Sequence, residues 1–149
     1  MNLIERINED LKSAMKSGDK LRTETIRSIR ALILEFQKSG SGKELNEEEE
    51  MKLLSGAAKK RKDSIEQFRL AGREDLASKE EKELEIIHQY LPDQFTREKI
   101  KSEVDRIAKL IGALSKEDFP KLMPAVMKEL KGKADGKEVR SVVEEYLGK

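Results

Sequence analysis

The sequence contains no cysteine and no tryptophan, only one histidine, and three prolines in 149 residues. Without cysteine there is no disulfide, no thiolate nucleophile and no Cys-ligated zinc, and a single histidine rules out a multi-histidine metal site. Aromatic residues make up 4% and apolar residues 36%. That is too little apolar surface for the thick core of a sandwich or barrel, but enough for amphipathic helices that each bury one stripe. No apolar run approaches the roughly 20 residues that a membrane-spanning helix requires. The opening stretch, M-N-L-I-E-R-I-N-E-D, is acidic and amphipathic and lacks the continuous apolar segment of a secretory signal. These absences predict a soluble, cytoplasmic protein without a membrane partner.

Charge is abundant: 41% of the residues are Asp, Glu, Lys or Arg. The signs nearly cancel, at a formal net charge of +1, so no global field drives the chain onto nucleic acid or lipid. The distribution is uneven. Residues 1–95 hold 18 basic and 20 acidic side chains, whereas residues 96–149 hold 13 and 10. The C-terminal third is therefore the better partner for an anion.

Apolar residues recur at helical spacing almost throughout, and no alternating strand pattern of useful length occurs. Ile4, Ile7, Leu11 and Ala14 line a first helix that stops at Gly18. Asp19 caps a second, with Leu21, Thr25, Ile29, Leu32 and Phe36 as its stripe and Ile26 and Ile33 widening it. S-G-S-G over residues 39–42 reads as a flexible loop. Asn46 caps a third helix running to about Leu70, with Gly72 as its stop and Leu54, Ala58, Ile65 and Phe68 on its stripe. A fourth spans roughly residues 75–90 and ends before Pro92. Thr96 opens a fifth, carrying Ile100, Val104, Ile107 and Ile111, and Gly112 closes it. A sixth starts near Ser115 and Asp118 and carries Phe119, Leu122, Met123, Val126 and Leu130. Pro120 suits its first turn, whereas Pro124 should kink or delay it. Asp135 caps a seventh with Val139, Val142, Val143 and Tyr146, and Glu138 completes a capping-box pattern. The expected fold is all-α: an elongated N-terminal helical part over residues 1–92, then a small three-helix C-terminal bundle over residues 96–149.

Two basic stretches carry the functional question. In K-G-K-A-D-G-K-E-V-R, the glycines Gly132 and Gly136 would let backbone approach a phosphate. The free N–H groups at the start of the last helix would point at the anion, and Lys131, Lys133, Lys137 and Arg140 would surround it. The competing reading is a turn, with Gly132 ending one helix and Asp135 capping the next. Asp135 supports the turn, because its carboxylate would satisfy those N–H groups and repel a phosphate. The spacing is not that of a P-loop. The turn is favoured on pattern, and lysines beside a structural turn can still hold phosphate. In K-K-R-K-D-S-I-E-Q-F, the run Lys59, Lys60, Arg61 and Lys62 reads as a solvated helix face, except that Arg61 falls inside the apolar stripe. There it must snorkel, pair internally or face a partner; the internal pair is favoured, and a nucleic-acid contact by this four-residue run is the secondary option.

No constellation supports catalysis. His88 stands alone near an apolar stripe, with no serine or aspartate at a spacing that suggests a triad. S-A-M-K, residues 13–16, matches S-x-x-K but lacks the accompanying motifs. The acidic runs at 47–50 and 80–85 do not have an EF-hand pattern. No catalytic residue, metal, cofactor or small-molecule substrate is implied.

Several segments in order carry a resemblance. They are L-I-E-R-I-N-E-D-L-K-S-A-M-K, R-T-E-T-I-R, K-K-R-K-D-S-I-E-Q-F, E-L-E-I-I-H-Q-Y-L-P-D-Q and K-G-K-A-D-G-K. Together they resemble the GatB/YqeY family along essentially the whole chain, with Y-L-P-D-Q and G-K-A-D-G-K as the sharpest pieces. The resemblance implies a helical domain followed by a small three-helix tail. It also implies kinship with the C-terminal part of the B subunit of the tRNA-dependent amidotransferase, a carbon–nitrogen ligase using glutamine as amido donor. In that enzyme the tail touches tRNA while chemistry occurs elsewhere. The expectation for this chain is a non-catalytic tRNA-binding or tRNA-handling module that works with an amidotransferase or aminoacyl-tRNA synthetase. Its phosphate contacts would come from Lys131, Lys133, Lys137 and Arg140. A helical protein-interaction adaptor without RNA contact is the alternative.

Overall fold

A computed structural model describes residues 1–40, 42 and 44–148. Ser41, within the loop expected over residues 39–42, lies outside the described residues. The fold is all-helical, as expected, and the described residues contain no strand. Seven α-helices are described: α1 (Leu3–Ser17), α2 (Lys20–Lys38), α3 (Glu47–Leu70), α4 (Glu74–His88), α5 (Arg97–Ile111), α6 (Phe119–Leu130) and α7 (Gly136–Tyr146). A short 3-10 turn, Lys116–Asp118, precedes α6. The chain divides into two compact units, Met1–Pro92 and Asp93–Lys149. None of the described helices is long and apolar enough to cross a membrane.

Side-chain caps start most of the helices. Asn2 accepts from the Glu5 amide at 2.9 Å while Glu5 reaches back to the Asn2 amide. Asp19, Asn46 and Thr96 each accept from the amide three residues on. Each bond satisfies one of the donors a helix start leaves orphaned. Three starts lack such a bond: Arg73 at the N-cap of α4, Asp118 at that of α6 and Asp135 at that of α7 make no side-chain cap bond. The capping box expected from Asp135 and Glu138 is therefore not formed.

In the first unit, Ile7 and Ala14 of α1, Ile26, Ile29 and Ile33 of α2, Leu54, Ala57 and Ala58 of α3, and Ile86 and Ile87 of α4 form one core with Tyr90. On α2 the buried stripe centres on Ile26, Ile29 and Ile33, while Leu21, Leu32 and Phe36 are only half-buried. The buried Thr23 and Thr25 donate their hydroxyls to the carbonyls of Asp19 and Leu21, at 2.7 and 2.8 Å. Their burial therefore leaves no unpaired hydroxyl.

A polar network ties α1 and α2 to the end of α4. The Tyr90 hydroxyl donates to Asp10 Oδ2 at 2.6 Å, and the Arg6 guanidinium lies 4.7 Å over the Tyr90 ring. Arg6 Nη2 also donates to the Gln89 carbonyl, and Arg22 Nη1 to the Gln89 side chain. Tyr90 follows the last helical residue, His88, so α4 ends two residues earlier than the pattern suggests.

In the second unit, Ile100, Val104, Ile107 and Ala108 of α5 pack against Leu122, Val126 and Leu130 of α6 and Val139, Val142 and Val143 of α7. Ala113 and Leu147 complete this core. Leu147 takes the buried place expected for Tyr146, whose ring is on the surface. Helix α6 runs through Pro124 without ending there. The proline ring cannot donate to the Pro120 carbonyl one turn back, but both residues are on the exposed side, where water can replace that bond.

Candidate nucleic-acid interface

The Lys131 to Arg140 stretch joins α6 to α7. Helix α6 ends at Leu130, which is buried, and Gly132 turns the chain with a φ of 78°. An L side chain at that φ would be strained, so this glycine serves the turn. The Lys133 amide closes the turn on the Leu130 carbonyl at 2.9 Å. Gly136 differs: it has ordinary helical backbone, and a Cβ there would sit 3.7 Å from Met127 Cε, a normal contact. Of the two glycines, only Gly132 is demanded by geometry.

The loop is fastened to the segment that leads into α5. The Phe95 amide donates to the Lys133 carbonyl at 2.7 Å, and Gln94 Nε2 donates to the Gly132 carbonyl at 2.8 Å. The Phe95 ring packs on the core beneath. Two ammonium groups, Lys99 Nζ and Lys133 Nζ, each lie 5.6 Å from its centroid. A ring face attracts cations through its quadrupole, so Phe95 gathers positive charge beside the loop. Lys99 also lies 3.9 Å from Glu103 Oε1, while Arg106 Nε binds the other Glu103 oxygen at 2.7 Å. The Arg106 hydrogen bond is the main reason that the Glu103 carboxyl is held below the usual range, and Lys99 and Lys133 add to it.

The four residues expected around a phosphate are thus arranged unevenly. Lys133 is half-buried and placed by Phe95, while Lys131 and Lys137 are exposed. Arg140 belongs to a different aromatic. Its guanidinium lies 5.8 Å over Phe119, at the start of α6, and its Nε binds Glu144 Oε1 at 2.9 Å. Phe95 and Lys99 were not recognisable as members of the site from sequence. The signal is faint: an aromatic residue just before an N-cap with a lysine four positions on, across the helix start.

The second basic run points two ways. Lys59 and Lys60 are exposed on α3, and Lys62 is half-buried. Arg61 turns inward: its Nε lies 3.5 Å from Glu83 Oε2 of α4, and its Nη2 donates to Ser28 Oγ of α2 at 3.2 Å. Both members of the ion pair are largely covered, at 16% and 15% side-chain exposure. Burial, with repulsion from Glu80, pushes the Glu83 carboxyl above its ordinary range despite Arg61. His88 is half-buried with its Nε2 unpartnered, and burial with the nearby Lys62 charge pushes its pKa below 6.5. Among the described residues, no group of three or more His, Asp or Glu side chains is placed to hold a metal ion.

Comparison with known proteins agrees with the sequence resemblance. The model of the Yqey-like protein family matches residues 4–147, and the chain belongs to that family. Three relatives share the name "Altered inheritance of mitochondria protein 41, mitochondrial". The one from Lachancea thermotolerans is 40% identical over 91 residues, 61% of this chain, so the match spans about half of the relative, 49% of its length. That of Pyrenophora tritici-repentis is 33% identical over 98% of this chain and 81% of its own. That of Saccharomyces cerevisiae strain YJM789 is 33% identical over 87% of this chain and 69% of its own. These names overturn the expectation of a cytoplasmic protein, since the relatives are named as mitochondrial. Composition and the lack of long apolar runs carry no information about compartment.

Proposed function

We propose that this member of the Yqey-like family is a non-catalytic tRNA-binding and tRNA-handling module whose C-terminal unit grips backbone phosphates. The observation that carries the reading is the pair of ammonium groups, Lys99 and Lys133, held at the Phe95 ring beside the exposed Lys131 and Lys137. Because Asp135 does not cap α7, its carboxylate does not occupy the first amides of that helix, which supports an anion there. With few aromatics available for stacking, recognition would rest on phosphate and shape more than on sequence. The module would present tRNA to an amidotransferase or aminoacyl-tRNA synthetase that performs the chemistry, in the mitochondrial setting to which the relatives' names point.

The test is a double charge reversal, Lys133→Glu with Lys137→Glu. It should abolish tRNA binding while leaving helicity and melting temperature unchanged. Binding that survives unchanged would remove these residues from the interface. A second reading, a protein-docking adaptor, is favoured by Leu110 and Leu114, which flank Gly112 at 73% and 87% exposure. Under that reading the charge reversal has no effect, and Leu110→Ser with Leu114→Ser abolishes capture of the protein partner.

A further inference from the structure

The second unit carries a cleft of about 470 Å³ lined by Lys116, Phe119, Arg140, Glu144 and Leu147. Leu147 is nearly buried and forms an apolar base, while Lys116 is exposed at the rim. Phe119 is half-buried, and its ring lies 5.8 Å from the Arg140 guanidinium. Arg140 in turn holds Glu144 Oε1 at 2.9 Å and leaves the second carboxylate oxygen outside that bond. The cleft therefore combines a ring face, a group that only donates, a group that only accepts, and an outer ammonium.

We propose that this cleft binds a guanine nucleotide, either free or as an unpaired residue of an RNA. The polymeric source rests on the tRNA reading above. The choice of base follows from hydrogen-bond order. Guanine's Watson–Crick edge presents O6, an acceptor, beside the N1–H and N2–H₂ donors. An arginine next to a glutamate presents the complementary sequence, donor then acceptor. Adenine and cytosine set a lone-pair nitrogen where the free carboxylate oxygen would lie, and uracil offers that oxygen one N–H where guanine offers two. The base would meet the Phe119 ring beside the offset Arg140 guanidinium, where an aromatic ring tolerates any base and the Arg–Glu pair selects among them. Lys116 at the rim would meet the 5′-phosphate. The volume is enough for one nucleotide, and a guanine paired in a duplex has its Watson–Crick edge already engaged.

The experiment is an NMR titration of the full chain with GMP, AMP, CMP and UMP. It is extended to a short unpaired RNA carrying one guanine and to the same RNA annealed to its complement. GMP and the unpaired RNA should shift the signals of Phe119, Arg140 and Glu144, with GMP binding about tenfold tighter than AMP. Glu144→Gln should remove that preference. Phe119→Leu, which keeps an apolar side chain on the core, should weaken all four nucleotides alike by about tenfold. Nucleotide shifts that avoid the cleft, or a GMP preference that survives Glu144→Gln, would overturn the assignment. If bulk tRNA still binds and no nucleotide enters the cleft, this inference fails and the tRNA reading stands. If GMP occupies the cleft while neither tRNA nor the unpaired RNA binds, the ligand is a free nucleotide and the tRNA reading fails.

Discussion

Replacing Tyr90 with phenylalanine isolates one hydrogen bond of the first unit. The hydroxyl donates to Asp10 at 2.6 Å from a ring that is 8% exposed. Phenylalanine keeps the ring, its packing and the Arg6 guanidinium 4.7 Å above it, so only the hydroxyl is lost. A hydrogen bond to a charged group contributes about 1.5–3 kcal/mol net, and Asp10 is half-buried, so the expected loss is about 2 kcal/mol. For a unit of this size that corresponds to a fall in melting temperature of about 8–16 °C. A double-mutant cycle with Asp10→Ala should return a coupling energy of about 1–2 kcal/mol. Burial first, and Asp10 second, push the Tyr90 hydroxyl above its ordinary pKa of 10.0. As pH rises past 10.0 the unfolded chain releases this proton while the folded chain keeps it. The folded state then binds more protons, and stability falls as the solution becomes more alkaline. Tyr90→Phe should lose that alkaline component. Circular dichroism melts across pH 7–11 check both parts. A variant within about 0.5 kcal/mol of wild type, the scatter of a neutral substitution, would refute the argument. So would an alkaline loss identical in the two proteins.

Arg61→Ala should cost about 3 kcal/mol by chemical denaturation, because it leaves Glu83 covered and unpaired. Arg61→Met with Glu83→Leu should recover most of that loss. Gly56 lies within α3, and a Cβ there would meet nothing within 4 Å. Gly56→Ala should therefore stabilise the protein by about 1 kcal/mol, and a lower melting temperature would point to an unrecognised close approach. His88 has a depressed pKa, so the unfolded chain takes up its proton first as pH falls below 6.5. Stability should drop over that acid window and stay flatter in His88→Gln, read from urea midpoints between pH 7 and 5.

Much of the local structure is legible in the sequence because its causes lie within a turn of the chain. Asp19, Asn46 and Thr96 cap as residue type and position predict, and the Ile100, Val104 and Ile107 stripe is buried as its spacing requires. What could not be read depends on distant partners. The burial of Leu147 in place of Tyr146 depends on how the end of α7 meets α5 and α6, which one helix's periodicity does not contain. Asp135 looks like a cap in every local respect, yet its carboxylate stays out of the helix start. The apolar stripe marks Arg61 as needing a partner, but the choice of Glu83 and Ser28 depends on how α3 lies against α4 and α2. The same holds for the candidate interface. Phe95 and Lys133 are far apart in sequence, and the 2.7 Å bond between their backbones brings Lys133 to the ring that Lys99 reaches from four residues away.

The most direct test of the central claim is a titration of the purified full chain with bulk tRNA at about 50 and 200 mM salt. Each neutralised phosphate releases counterions, so about three contacts should weaken binding about 20- to 40-fold across that range. Saturable binding with that loss, removed by the Lys133→Glu and Lys137→Glu reversal, is the predicted result. An absence of binding at the lower salt would contradict the tRNA reading.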